Sequence, residues 1–135
     1  MCIRDRFLYS ELDATNIEFI KSNGKEEYDG MRLVWYDNQL NLNSNKHKVI
    51  TANSSTAIEL MEIFKQTKES NIAAPCVPTY RDAIVYRNAL NQITGYFHIC
   101  FECAKIESHN RTQMPITFEL MNKLNQIINP ADNKR

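Results

Sequence analysis

Glycine is scarce in this chain: Gly24, Gly30 and Gly95 are the only three in 135 residues. That scarcity excludes a glycine-rich phosphate loop, which needs closely spaced glycines so that backbone amides can approach the anion. No Gly-x-Ser-x-Gly elbow and no His-Glu-x-x-His pair occurs either, so two familiar hydrolase signatures are missing. An excess of one charge is also absent. Sixteen basic residues balance sixteen acidic ones, and no run of lysine or arginine gives the electrostatic footprint of a nucleic-acid binder. No apolar stretch reaches the roughly 18 residues a bilayer-spanning helix requires. Nothing in the composition implies a cofactor.

What is present suits one domain. A chain of 135 residues buries a core without needing disulfides or metal to fold. Met1-Cys2-Ile3-Arg4-Asp5-Arg6 reads as translated sequencing-adapter sequence ahead of a metagenomic reading frame, so residues 1–6 are set aside as a non-native scar and 7–135 is taken as a single α+β domain. On this reading the true amino terminus is truncated, and a lost leader peptide would favour the cell envelope.

Hydropathy and turn chemistry place the elements. Ile17-Glu18-Phe19-Ile20 before Ser22-Asn23-Gly24 suits a strand entering a turn, and Met31 to Tyr36 reads as a strand closed by Asp37-Asn38. The asparagine-rich stretch 41–48 reads as a loop or a ragged edge, followed by a short strand at 48–50. Thr56-x-x-Glu59 is a capping-box pattern that opens a helix over 56–68, with Ala57, Leu60, Met61 and Phe64 forming an apolar stripe. A second helix over 117–128 carries Leu120, Met121, Leu124, Ile127 and Ile128 on one face and stops at Pro130. Both stripes read as core. The expected fold is α+β, an antiparallel sheet of four or five strands with two helices packed on one face.

Chemistry concentrates at 76–103, where Cys76, Cys100 and Cys103 accompany His98. Residues 82–88 and 92–102 are strand-like about a short asparagine-flanked loop, and read as an antiparallel hairpin. Folding about Leu90 pairs positions whose numbers sum to about 180, which sets His98 opposite the neighbourhood of Asp82 and Cys103 opposite Cys76 or Val77. Along the second arm, Ile93, Phe97, Ile99 and Phe101 are expected to face the core, with Tyr96, His98, Cys100 and Glu102 on a wetter face. Cys100 and Cys103 converge only if the strand ends or bulges between them.

Four readings of the thiols stay open. They can be small apolar residues filling space, or a disulfide from Cys76 to Cys103 or Cys100, worth roughly 3 kcal/mol. They can hold structural zinc through Cys76, Cys100 and Cys103 with His98 or His109 as fourth ligand, although a single Cys-x-x-Cys lacks the partner pair of a ribbon. Thiol redox chemistry is the fourth, opposed by Glu102 within the motif and by its place on a strand. His98 beside Asp82 has the form of an oriented imidazole for acid–base work, but no matching nucleophile accompanies it. Arg81 is expected to pair with Glu102 or Asp82.

Cys-x-Pro-x-Tyr-Arg-Asp-Ala-Ile-Val-Tyr at 76–86 and Gly-Tyr-x-x-Ile-Cys-Phe-Glu-Cys at 95–103 resemble the central stretch of a group of small uncharacterised bacterial proteins, many with lipoprotein-like leaders. The resemblance implies an envelope location and a disulfide, and carries over no catalytic or binding residue. The expected function is a non-enzymatic structural or interaction role with a protein partner, centred on the surface around Tyr80, Tyr96, His98 and Glu102. The alternative is a thiol-dependent site, structural zinc or redox, on Cys76, Cys100 and Cys103.

Overall fold

The computed structural model describes residues 14–22, 32–34, 38–41, 44–66, 80–109, 114 and 116–130. Strands β1 (Asn16–Ser22), β2 (Ser44–Thr51), β3 (Asp82–Arg87), β4 (Ile93–Cys100) and β5 (Lys105–Ser108) form one sheet in the order β2-β1-β3-β4-β5, with every neighbouring pair antiparallel. Helices α1 (Ser55–Lys65) and α2 (Phe118–Ile128) cover one face. This is the expected α+β class, with the sheet at the upper end of the expected strand number. Because β1 is antiparallel to both β2 and β3, those two run the same way, and α1 lies in the connection that carries the chain past β1.

The helices form where caps and apolar spacing coincide. Ser54 caps α1, its hydroxyl accepting from the Ala57 amide at 3.2 Å. The cap therefore sits two residues before the expected Thr56, because Ser54 holds the extended backbone that a capping residue requires. Ala57, Leu60, Ile63 and Phe64 are the buried positions, so Ile63 takes the place expected of Met61. Thr117 caps α2 in the same manner through the Leu120 amide at 3.2 Å. Leu120, Met121, Leu124 and Ile128 then pack with α1 onto Ile17, Phe19, Ile84, Phe97, Ile99 and Ile106. Phe64 stacks on Phe97 with ring centres 4.4 Å apart, tying α1 to the middle of the sheet.

The hairpin of β3 and β4 closes through Asn88, whose side-chain oxygen accepts from the amides of Leu90 at 3.0 Å and Gln92 at 2.9 Å. Asn91 takes the left-handed backbone that asparagine tolerates, at φ 66°. The strands pair Asp82 with Ile99, Ala83 with His98 and Ile84 with Phe97, one residue from a register that would set His98 against Asp82.

Three expectations need correction. From Ser44 on, the stretch 41–48 is an edge, and a full one rather than a loop or a ragged edge: Ser44–Thr51 pairs along β1. The expected strand at 31–36 is no member of the sheet in its described part, where Val34 makes only an isolated bridge to Leu40. Instead Leu33 and Val34 lie over the face opposite the helices, packed with Ile20, Ala83, Val85 and Tyr96. That cover overturns the third expectation, since Tyr80, Tyr96, His98 and Cys100 are all buried rather than set on a wet surface. The central strands are therefore enclosed on both faces, and Asp82 to Tyr86 is buried throughout.

Candidate functional site

The chemically distinctive cluster lies between the sheet and its second cover. β4 supplies His98 and β5 supplies Glu107, which pair directly across the strands. Side chains at paired positions share a face, so imidazole and carboxylate meet, with His98 Nδ1 3.3 Å from Glu107 Oε1. Arg32, from the covering segment, closes on the same carboxylate with Nε to Oε1 at 2.7 Å and Nη2 to Oε2 at 2.6 Å, a bidentate fork. The far nitrogen of the ring, Nε2, accepts from the Val34 amide at 3.1 Å.

This bonding fixes the protonation state. Nε2 accepts, so it bears no proton, and Nδ1–H donates to Glu107. Burial pushes the Glu107 carboxyl up, but the hydrogen bonds from Arg32 and His98, with the Arg32 charge, outweigh it and hold the carboxyl at about 2. Glu107 is thus a carboxylate at neutral pH, its side chain 5% exposed beside an Arg32 that is 36% exposed. Rings enclose the imidazole: Tyr80 lies 5.4 Å away between centres and Tyr96 5.3 Å. His109 sits edge-on to Tyr96 at 5.9 Å, its Nδ1 buried without a hydrogen-bond partner, and burial lowers its pKa.

The geometry contains two members of an acid–base triad, an imidazole oriented by a carboxylate, yet the nitrogen that would take a substrate proton is engaged by a backbone amide. His98 is 0% exposed. What the cluster does is fasten the segment carrying Arg32 and Val34 onto the sheet. That segment is also held by its own bonds, with the Leu33 carbonyl accepting from the Asn41 amide at 2.7 Å and from the Ser44 hydroxyl at 2.9 Å.

Asp82, the carboxylate expected beside His98, lies on the helix-covered face, where Lys21 Nζ donates to it at 2.8 Å and also to Asn129 beyond α2. The one-residue difference in register accounts for this, because it exchanges the two faces of a strand. The partner, Glu107, lies on β5, a strand too short to announce itself in the sequence, where only Lys105-Ile106-Glu107 alternates polar and apolar types. Arg81 does pair with Glu102, at 3.7 Å. Only Glu102, of the expected surface set, is exposed.

The thiols separate. β4 ends at Cys100 and the chain turns through 101–104, with Ala104 at φ 52°. This ending lets the Cys103 amide donate to the Cys100 sulfur at 3.3 Å. Cys100 is a free, buried thiol. Cys76 lies outside the described residues. A zinc set drawing on His98 would have to break both bonds of that ring, and among the described residues no group of three or more His, Cys, Asp or Glu side chains is placed to hold a metal.

Two of the accessible features of the described residues bear on recognition. A cleft of about 700 Å³ opens between α1 and α2, lined among others by Ile58, Ile63, Ile127, Lys48, Glu59 and Lys123. The other is the outer edge of β2. No helix of the described residues is long and apolar enough to cross a membrane. No family model, curated protein or solved structure matches this chain.

Proposed function

We propose that this domain is a non-enzymatic interaction module. The observation that carries the reading is the double engagement of His98: the one imidazole with a catalytic style of orientation has its carboxylate on Nδ1 and a backbone amide on Nε2. A general base needs a lone pair within reach of a substrate proton, and this lone pair faces Val34 in the interior. The polar cluster is a fastening, and recognition falls to the surfaces outside it. The test is turnover of a panel of ester, phosphoester, peptide and disulfide substrates by the full chain and by His98→Gln. The expected result is no turnover that depends on His98. A catalysed reaction lost in a folded His98→Gln variant would overturn the reading, as would a disulfide-reductase activity lost on replacing Cys100 and Cys103 by serine.

We also propose that Cys103 forms a disulfide with Cys76 that staples the open end of the β3–β4 hairpin. Its support is that Cys100 is buried as a free thiol, and that the antiparallel pairing of β3 with β4 points the chain before Asp82 back toward the 101–104 turn. Closing that loop is worth about 3 kcal/mol. Mass mapping of the unreduced, alkylated chain is expected to give a Cys76–Cys103 linked peptide, and a Cys2–Cys103 link would refute the pairing.

A further inference from the structure

We infer that the outer edge of β2 is a strand-addition site for an extended, acidic peptide segment of a partner protein. This deepens the interaction-module reading and rests on it. The sheet has two edges, and they differ. At β5 the Ile106 carbonyl already accepts from the Met114 amide at 2.8 Å. Among the described residues β2 pairs with β1 alone, and Asn45 to Val49 form an unbroken exposed run. An eight-residue edge offers a row of unused amides and carbonyls to any strand that can approach.

Charge decides which strand that is. Asn45-Lys46-His47-Lys48-Val49 contains no acidic residue. The acid that reaches it is Glu18 of β1, 3.3 Å from Lys46 and 3.0 Å from Arg87 of β3, so two cations already surround that single carboxylate. On the helix side Lys48 and Lys123 of α2 border the cleft with Glu59 and Glu62 of α1, so charge there balances, and the positive excess lies on the other face, where Lys46 and Arg87 share the single Glu18 carboxylate. The pairing with β1 passes from Phe19–Lys48 to Ile20–Lys46, making His47 the extra residue of a bulge. The bulge sends Lys46 and Lys48 to opposite faces, so an added strand meets a cation on either side.

The same lysines disfavour basic strands. A strand that set lysine opposite Lys46 or Lys48 would bring like charges side by side on one face, which is destabilising in a sheet, whereas an acidic strand is attracted at both positions, attraction and repulsion together giving the specificity.

The experiment uses the full chain and three fluorescein-labelled nine-residue probes: alternating glutamate and valine, alternating lysine and valine, and the glutamate probe N-methylated at alternate amides. Fluorescence anisotropy is expected to give at least tenfold tighter binding of the glutamate probe than of the lysine probe. Loss is expected on N-methylation, and a preference at least tenfold weaker in His47→Glu/Lys48→Glu, a pair chosen to leave the Lys46–Glu18 contact in place. Hydrogen exchange should slow at 44–51 when the glutamate probe binds. The inference is overturned if the two charged probes bind alike, if N-methylation leaves binding intact, if protection appears elsewhere, or if sedimentation shows the chain dimerising through this edge. The N-methylated probe tests the edge without altering the protein. Failure here leaves the turnover panel to judge the interaction-module reading separately.

Discussion

Replacing His98 by phenylalanine keeps a planar ring in the interior and removes both polar contacts. The Val34 amide, which donates to Nε2 at 3.1 Å, is left buried without an acceptor, at a cost of about 1–3 kcal/mol. Glu107 loses its longest contact, 3.3 Å to Nδ1, but keeps the Arg32 fork, so its charge is not stranded and the added cost stays near 1 kcal/mol. The sum is about 2–4 kcal/mol, or roughly 3 °C of Tm per kcal/mol for a domain of this size. His98→Gln restores an acceptor for Val34, and its loss is expected to be about half as large. Thermal unfolding followed by circular dichroism gives the totals, and hydrogen exchange at the Val34 amide locates them: protection should fall in His98→Phe and survive in His98→Gln. A His98→Phe protein within about 0.5 kcal/mol of the parent, or one in which glutamine is as damaging as phenylalanine, would refute the claim that the ring works as an acceptor for the covering segment.

Acid should destabilise the domain in two stages. His109 is pushed below its ordinary value of 6.5 by burial, so the unfolded chain takes up its proton first and stability falls as pH drops below about 6.5. His109→Phe is expected to flatten urea-unfolding free energies between pH 5 and 7. Glu107, lowered from 4.5 to about 2, stabilises the fold fully above pH 4.5 and loses that contribution as pH falls toward 2, a change of order 2–3 kcal/mol once screening of the part-exposed Arg32 is allowed for. Glu107→Gln should remove that stage, and a parent profile flat from pH 5 to 2.5 would contradict the assignment. At the start of α1, Ser54→Ala is expected to cost about 1 kcal/mol and Thr56→Ala under 0.5 kcal/mol. The reverse order in chemical denaturation would return the cap to Thr56.

The helix-covered half of this molecule is legible in the sequence because each of its elements carries a redundant signal. Thr117, the stripe from Leu120 to Ile128 and Pro130 all mark the same helix, and α2 runs over Phe118–Ile128. Asparagines flank the short loop between two β-rich arms, and the hairpin turns on Asn88. The second half is hidden for a physical reason. Alternation identifies a strand with one wet face, but a strand covered on both sides loses its alternation. Alternation sets Tyr96 and Cys100 with His98 on a wet face, although tyrosine and cysteine are as much at home in a core. The run Ala83-Ile84-Val85-Tyr86 was the stronger sign, since four successive apolar residues have no wet side to alternate with. Given that run, something had to lie over the far face, and Leu33-Val34 was the apolar segment without a place in a helix.

The burial of His98 and Glu107 follows from the same cover, and so does their permanence as a pair. Leu33 and Val34 carry no side-chain hydrogen-bonding group, and an irregular segment laid over a sheet leaves amides that no ladder can satisfy. The Val34 amide is one of these, and an acceptor rising from β4 is the nearest remedy. A histidine suits the position because its second nitrogen can be anchored in turn, by the carboxylate opposite on β5. The carboxylate then needs a cation to remain ionised out of water, and Arg32, two residues before Val34, is delivered by the very segment being fastened. The sequence of demands runs from an orphaned amide to an imidazole, a carboxylate and a guanidinium, and closes on the chain where it began. A constellation generated by packing in this way looks like catalytic machinery in a list of residues, and the atom that receives the last hydrogen bond distinguishes the two: here it is Nε2, and its donor is the backbone.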